Sequence, residues 1–198
     1  MENLNHQLFL WLNASANPNL LLVGIAIVFA EYLIFAIPAM IFISWLNGDE
    51  HCRKTLLVVT VAVITSFLIN VLIGFFWQHP RPFMIGLGHT LIPHVPDSSF
   101  PSDHLTLIWT VAFSLIAQRH YHKVGLALAI SGFPVAWARI YLGVHFPFDM
   151  AGSIFVALLS SWITVRLESV YIDHLYKITL AIHRTIFSKF IKLGWVRP

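Results

Sequence analysis

"LLVVTVAVITSFLINVLIGFFW", residues 56 to 77, runs for twenty-two positions without a charged residue, and Asn70 is its polar exception. A bilayer core is crossed by about 20 apolar residues in a helix. This stretch is therefore a membrane span, and it fixes the class of fold. The whole chain agrees: 58% of its 198 residues are hydrophobic and 11% charged, with a mean hydropathy of +0.76. A soluble domain carries about 25% charged residues. A water-soluble globular enzyme is excluded.

Working outward, four more segments reach the composition of a span. Leu20 to Leu46 does so with Glu31 inside it, and a kink is expected at Pro38, whose ring cannot continue a regular helix. Leu105 to Ala117 is apolar but short, so its helix is expected to begin near Ser102. Val124 to Leu142 and Phe148 to Val165 complete the set. The expected fold is all-α: a polytopic membrane helix bundle of about five transmembrane helices, with an interfacial helix at each end. Residues 3 to 13, "NLNHQLFLWLN", form the first of these. From Val170 onward, Leu175, Ile178, Ile182, Ile186 and Leu193 recur at helical spacing with Lys177, Arg184 and Lys192 off the stripe. That pattern is a basic helix lying on an anionic membrane surface. One membrane-embedded domain is expected over residues 1–198, with its core at 20–166 and the basic helix at 170–195. No cleavable signal peptide is expected, and the lone Cys52 allows no internal disulfide.

Charge sets the orientation. Five spans put loops 78–103 and 143–147 on one side and loops 47–55 and 118–123 on the other. Arg53, Lys54, Arg119, Lys123, Arg166 and the five basic residues beyond fall on the second side; Arg81 and Arg139 alone fall on the first. Cytoplasmic loops collect Lys and Arg. The first side is expected to face outward, which in a bacterial inner membrane is the periplasm. The partner of the basic surface is then the membrane, not nucleic acid.

Both outward arginines need a purpose, and their neighbours supply one. "HPRPF" brings Arg81, "FPSDHLT" brings Ser102 and His104, and "ARIYLGVHFPFDMAG" brings Arg139, His145 and Asp149. In a five-span bundle these stretches share one membrane depth. Two guanidiniums facing one cavity bind a multi-oxygen anion through planar forks of donors. Ser102 suits the N-cap of the third span and Pro147 the first turn of the fifth, so two helix N-termini add N–H groups and partial positive charge. Asp149, four residues after His145, can fix that ring's tautomer, and His104 can protonate a leaving oxygen. The kit is one for phosphoryl transfer without a metal or other cofactor. A zinc site is disfavoured, because two histidines and one aspartate stand among arginines that repel a cation. A serine hydrolase is disfavoured too, since residues two apart at a helix start do not face each other. The outer histidines His79, His89 and His94 receive no role. Glu31, the acid inside the first span, is a possible substrate-site residue, lining the headgroup entry or positioning an arginine.

These residues resemble the type 2 phosphatidic acid phosphatase superfamily, whose pattern is K-x6-R-P, P-S-G-H and S-R-x5-H-x3-D. Here the three read G-x6-R-P (Gly74 to Pro82), P-S-D-H (Pro101 to His104) and A-R-x5-H-x3-D (Ala138 to Asp149). Gly74 stands in place of a lysine, Asp103 of a glycine and Ala138 of a serine. The resemblance implies that His145 attacks phosphorus, Asp149 orients it, His104 protonates the leaving group, and Arg81, Ser102 and Arg139 hold phosphate oxygens. The P-S-D-H form and "WVRP" near the end are most similar to the bacterial undecaprenyl-diphosphatase branch. The substrate it implies is a polyprenyl diphosphate, with carrier-lipid recycling and bacitracin resistance as consequences. Phosphatidic acid, phosphatidylglycerol phosphate or a lipid A phosphate are alternative substrates, and a non-catalytic lipid or anion transporter is the rival of another class.

Overall fold

A computed structural model describes all 198 residues, and every regular element in it is helical. Helix α1 (Glu2–Leu12) precedes a first span, Leu20–Asn47, that is α-helical at its two ends, α2 (Leu20–Ile27) and α3 (Ala36–Asn47). Then come α4 (Glu50–Phe76), α5 (Asp103–Ala117), α6 (His122–Tyr141), α7 (Pro147–Arg166), α8 (Glu168–Ile186) and α9 (Ser188–Lys192). The first span, α4, the α6 segment from Arg119 and α7 are long and apolar enough to cross a membrane; α5 is apolar but shorter. The protein is thus a multi-pass membrane helix bundle.

Short α5 is the hub. It packs against α4, α6 and α7, and Leu105, Ile108, Trp109, Val111 and Leu115 are all buried. At about 1.5 Å per residue a helix of this length reaches only part of the way across a bilayer. Its N-terminus accordingly lies inside the bundle, where the site is built. Small residues permit the close packing. A Cβ on Gly125 of α6 would lie 2.6 Å from the Ala112 carbonyl oxygen of α5. Between α5 and α7, Ser114 Oγ donates to Ser161 Oγ at 3.0 Å and Ser161 Oγ to the Thr110 carbonyl at 3.1 Å. Small side chains and hydrogen bonds of this kind hold helices together where lipid removes the hydrophobic drive.

The first span is not one regular α-helix. The α geometry gives way to a π turn over Val28–Tyr32 and a 3-10 turn over Leu33–Phe35, ending just before Pro38. Pro38 lies in the first turn of α3, where a residue without an N–H is tolerated. Glu31 lies in the π turn, a form often found at functional sites.

Both ends are held more firmly than an interfacial helix needs. Phe9 of α1 is fully buried, edge-on to Phe146 at 5.3 Å between ring centres. Asn5 Oδ1 accepts the Phe148 N–H at 3.1 Å, and Asn13 Nδ2 donates to the carbonyls of His89 and Tyr141. Helix α1 is a cover packed over the α6–α7 turn. At the other end, Arg53 of α4 is 1% exposed. Its guanidinium donates to the carbonyls of Trp45, Arg197 and Pro198 at 2.7–3.0 Å, and Trp45 Nε1 donates to Nδ1 of buried His183. Helix α8 presents exposed Val170, Ile178, Ile182 and Ile186, while the segment after α9 folds back onto Arg53.

Candidate active site

The α6–α7 turn is shaped by two residues. Gly143 has φ +83°, and a Cβ there would collide with the His89 carbonyl, so only glycine fits. Pro147 starts α7, and Asp149 Oδ2 accepts the Phe146 N–H at 2.7 Å. Asp149 therefore caps its own helix, and this capping sets its carboxylate beneath His145.

His145 is 1% exposed. Its Nδ1 lies 3.1 Å from Asp149 Oδ2, and its Nε2 lies 3.1 Å from Arg81 Nη1. A carboxylate only accepts and a guanidinium only donates. Both contacts therefore assign one tautomer: Nδ1 carries the proton and Nε2 a lone pair. Burial, with the Arg139 and Arg81 charges adding to it, holds this imidazole well below its usual titration range. It stands neutral, with its nucleophilic nitrogen toward the arginines.

Arg81 is nearly buried. Its Nε pairs with Asp97 at 2.8 Å, Nη1 also donates to the Val144 carbonyl at 2.9 Å, and Nη2 reaches the Ser98 carbonyl at 3.3 Å. Arg139, 1% exposed, places Nη1 2.7 Å from Glu31 Oε1 and Nη2 2.9 Å from His94 Nε2, while its Nε is buried with no partner. Ser102 occupies the N-cap position of α5 but makes no side-chain cap; its Oγ is buried and unpartnered. Its carbonyl instead accepts from Thr106 N and Ser153 Oγ, both at 2.9 Å. The expected cap is thus a free hydroxyl. His104, in the first turn of α5, makes no hydrogen bond to the protein and is half-buried.

Two residues with no role in the sequence reading belong here. Ser99 is fully buried, and its hydroxyl donates to Asp149 Oδ2, the same oxygen that holds His145. His94, one of the loop histidines set aside, is bonded to Arg139, and its ring centre is 6.2 Å from that of His145. Spacing signals neither, because both come from the loop between α4 and α5. Glu31 meets Arg139 and does not line the cavity beside Gly74. That cavity, of about 430 Å³, is bounded by Asn70, Gly74, Asp97, Ser98 and Asp103. A Cβ at Gly74 would find Ser98 at an ordinary 3.7 Å, so a longer side chain has room.

Fold and site together define a class: a polytopic helix bundle holding a buried arginine–histidine–aspartate cluster at one end of its short central helix. Within that class the chain belongs to the PAP2 superfamily, whose model matches residues 55–172. YbjG of Escherichia coli (strain K12) is 31% identical over 100% of this chain and 99% of its own length. The undecaprenyl-diphosphatase BcrC of Bacillus subtilis (strain 168) is 31% identical over 96% of each chain. Among solved structures, LpxE of Aquifex aeolicus superposes with a TM-score of 0.64 at 24% identity, over 82% of this chain and 95% of that one. The last likeness concerns the fold.

Proposed function

We propose that this membrane phosphatase removes the terminal phosphate of undecaprenyl diphosphate, giving undecaprenyl phosphate and inorganic phosphate. The observation that carries the reading is the tautomer of His145: its Nδ1–H is bound to Asp149 and its Nε2 lone pair lies beside a guanidinium. The B. subtilis relative's name supports the substrate.

In the reaction proposed, Arg81, Arg139 with its unpartnered Nε, and the free Ser102 hydroxyl hold the terminal phosphate oxygens. His145 Nε2 attacks the terminal phosphorus, the P–N bond forms, and the bond to the bridging oxygen breaks. Asp149 stabilises the imidazolium this creates, as a buried carboxylate beside a developing cation does. The bound phosphates raise the proton affinity of His104, which gives its proton to the leaving lipid phosphate. Water then attacks the phosphohistidine, His104 takes the water's proton, and phosphate leaves with the His145 lone pair restored. No metal takes part. The surplus of Lys and Arg on the opposite side supports an outward-facing site; we take the membrane to be a bacterial inner membrane and the site periplasmic, where the spent carrier lipid is released, with bacitracin resistance as a consequence.

Purified protein in detergent with EDTA is offered undecaprenyl diphosphate, phosphatidic acid and phosphatidylglycerol phosphate, and free phosphate is counted. The reading expects release that chelator leaves intact and that is fastest with undecaprenyl diphosphate. No release from any lipid refutes the enzyme and returns the transporter; release abolished by EDTA refutes the metal-free mechanism.

A further inference from the structure

His94 stands where an anion would stand. Its loop, between the 3-10 turn Pro82–Ile85 and α5, brings the ring against Arg139, with Nε2 2.9 Å from Nη2. Nδ1 lies 3.1 Å from the Val95 carbonyl. A carbonyl only accepts, so Nδ1 carries the proton, and Nε2 accepts from the guanidinium. Arg139 is held on the far side by Glu31 through Nη1. The remaining edge, Nε and Nη2, is the fork by which arginine grips two oxygens of a phosphate. On that edge Nε has no partner, and Nη2 is bound to a neutral ring. His94 therefore occupies one half of that fork, its ring centre 6.2 Å from that of His145.

We propose that His94 is a phosphate-binding residue that becomes a further cation of the site when the anion arrives, taking up one proton from water as it does so. A phosphate oxygen entering between His94 Nε2 and Arg139 Nη2 accepts from both, which requires a proton on Nε2. Beside two guanidiniums that proton is disfavoured. Burial lowers the His94 pKa from 6.5, and Arg81 and Arg139 lower it further against the opposing Asp97. His104 and His145 also face this space. A phosphate dianion among them reverses the balance, since an opposite charge within about 4–6 Å favours the protonated ring. The cavity beside Gly74 is lined by Asp97 and Asp103 and by no lysine or arginine, so that side supplies no cation where the family pattern has its lysine. The inference rests on the phosphatase reading for the anion's identity, though it concerns binding alone.

The test uses inorganic phosphate as probe, with the purified protein in detergent, by calorimetry in buffers of different ionisation enthalpy. Wild type is expected to take up about one proton more per phosphate at pH 7.5 than His94→Gln, any uptake by His104 being common to both, with affinity falling as pH rises. His94→Gln is expected to lose that one proton of uptake and to bind phosphate about tenfold more weakly, the scale of one charge-assisted hydrogen bond. His94→Lys, carrying a permanent charge, is expected to show no more uptake than the Gln variant and to keep its affinity at pH 8.5. In turnover, the Gln variant raises KM more than it lowers kcat. If Gln fails to fold, Asn serves for the same readouts. Unchanged affinity and proton uptake in His94→Gln, or a Lys variant no better than Gln, overturns the proposal. Proton-linked phosphate binding in a protein that hydrolyses no lipid would uphold it while refuting the phosphatase reading.

Discussion

Ser99→Ala removes one hydroxyl and leaves the fold's surface untouched, because the side chain is fully buried. Asp149 Oδ2 receives the Ser99 hydroxyl, the Phe146 N–H at 2.7 Å and His145 Nδ1 at 3.1 Å, while Oδ1 has no partner. A hydrogen bond to a charged group contributes about 1.5–3 kcal/mol. Asp149 is called upon most when His145 becomes an imidazolium, so the loss falls mainly on the transition state. At 1.36 kcal/mol per decade of rate, kcat should drop roughly 10- to 150-fold. KM should change little, since Ser99 reaches the carboxylate and not the phosphate. The assay is steady-state phosphate release from undecaprenyl diphosphate, with circular dichroism to confirm that the variant is folded. A variant within twofold of wild-type kcat, or one whose loss lies in KM, would refute the claim that Ser99 acts through Asp149.

Other perturbations probe neighbouring claims. Glu31→Gln leaves Arg139 without its anionic partner; with the Glu31 side chain 42% exposed, the cost is about 1–2 kcal/mol rather than the buried-pair value, or roughly 5- to 30-fold in kcat/KM. In a double-mutant cycle with Arg139→Lys the two losses should be strongly non-additive, and simple additivity would show that Glu31 does not work through Arg139. Arg53→Met strands three backbone carbonyls and should destabilise the protein by about 3 kcal/mol in thermal unfolding, yet leave turnover per folded molecule unchanged; normal melting would refute the clasp. His145 and His94 both have folded pKa values held below 6.5. The unfolded chain therefore binds more protons as pH falls through about 6.5, and stability is lost on that acid side and regained above it. Melting temperatures at pH 7.5 and 5 should show this, with a smaller difference in a His94→Gln, His145→Gln double variant.

Much of this architecture is legible in the chain because lipid imposes so severe a constraint. Five apolar runs are enough to name the helices, and Ser102 marks the start of α5 as expected. The site is legible where residues lie at fixed offsets on one turn: His145 and Asp149, four apart, do meet. What sequence spacing misses is whatever arrives through an irregular loop. Ser99 and His94 come from the stretch after Pro82–Ile85, whose path is set by tertiary bonds such as Ser99 N to the His79 carbonyl at 2.8 Å. Helical periodicity has nothing to say about such a path. Arg53 reads as one more cytoplasmic charge, yet its burial depends on a tail more than 140 residues away. Pro38 falls in the first turn of α3, while the irregular stretch lies before it, over Val28–Phe35, and carries Glu31 to Arg139.

The central claim is that His145 itself takes the phosphoryl group. Undecaprenyl diphosphate labelled in its terminal phosphate, mixed with enzyme and quenched in alkali within milliseconds, tests it directly. The account predicts an acid-labile, alkali-stable label on the peptide containing His145, formed in a burst before steady state and absent from His145→Ala. An enzyme that turns over with no label on His145, or a His145→Ala variant with undiminished turnover, would contradict it.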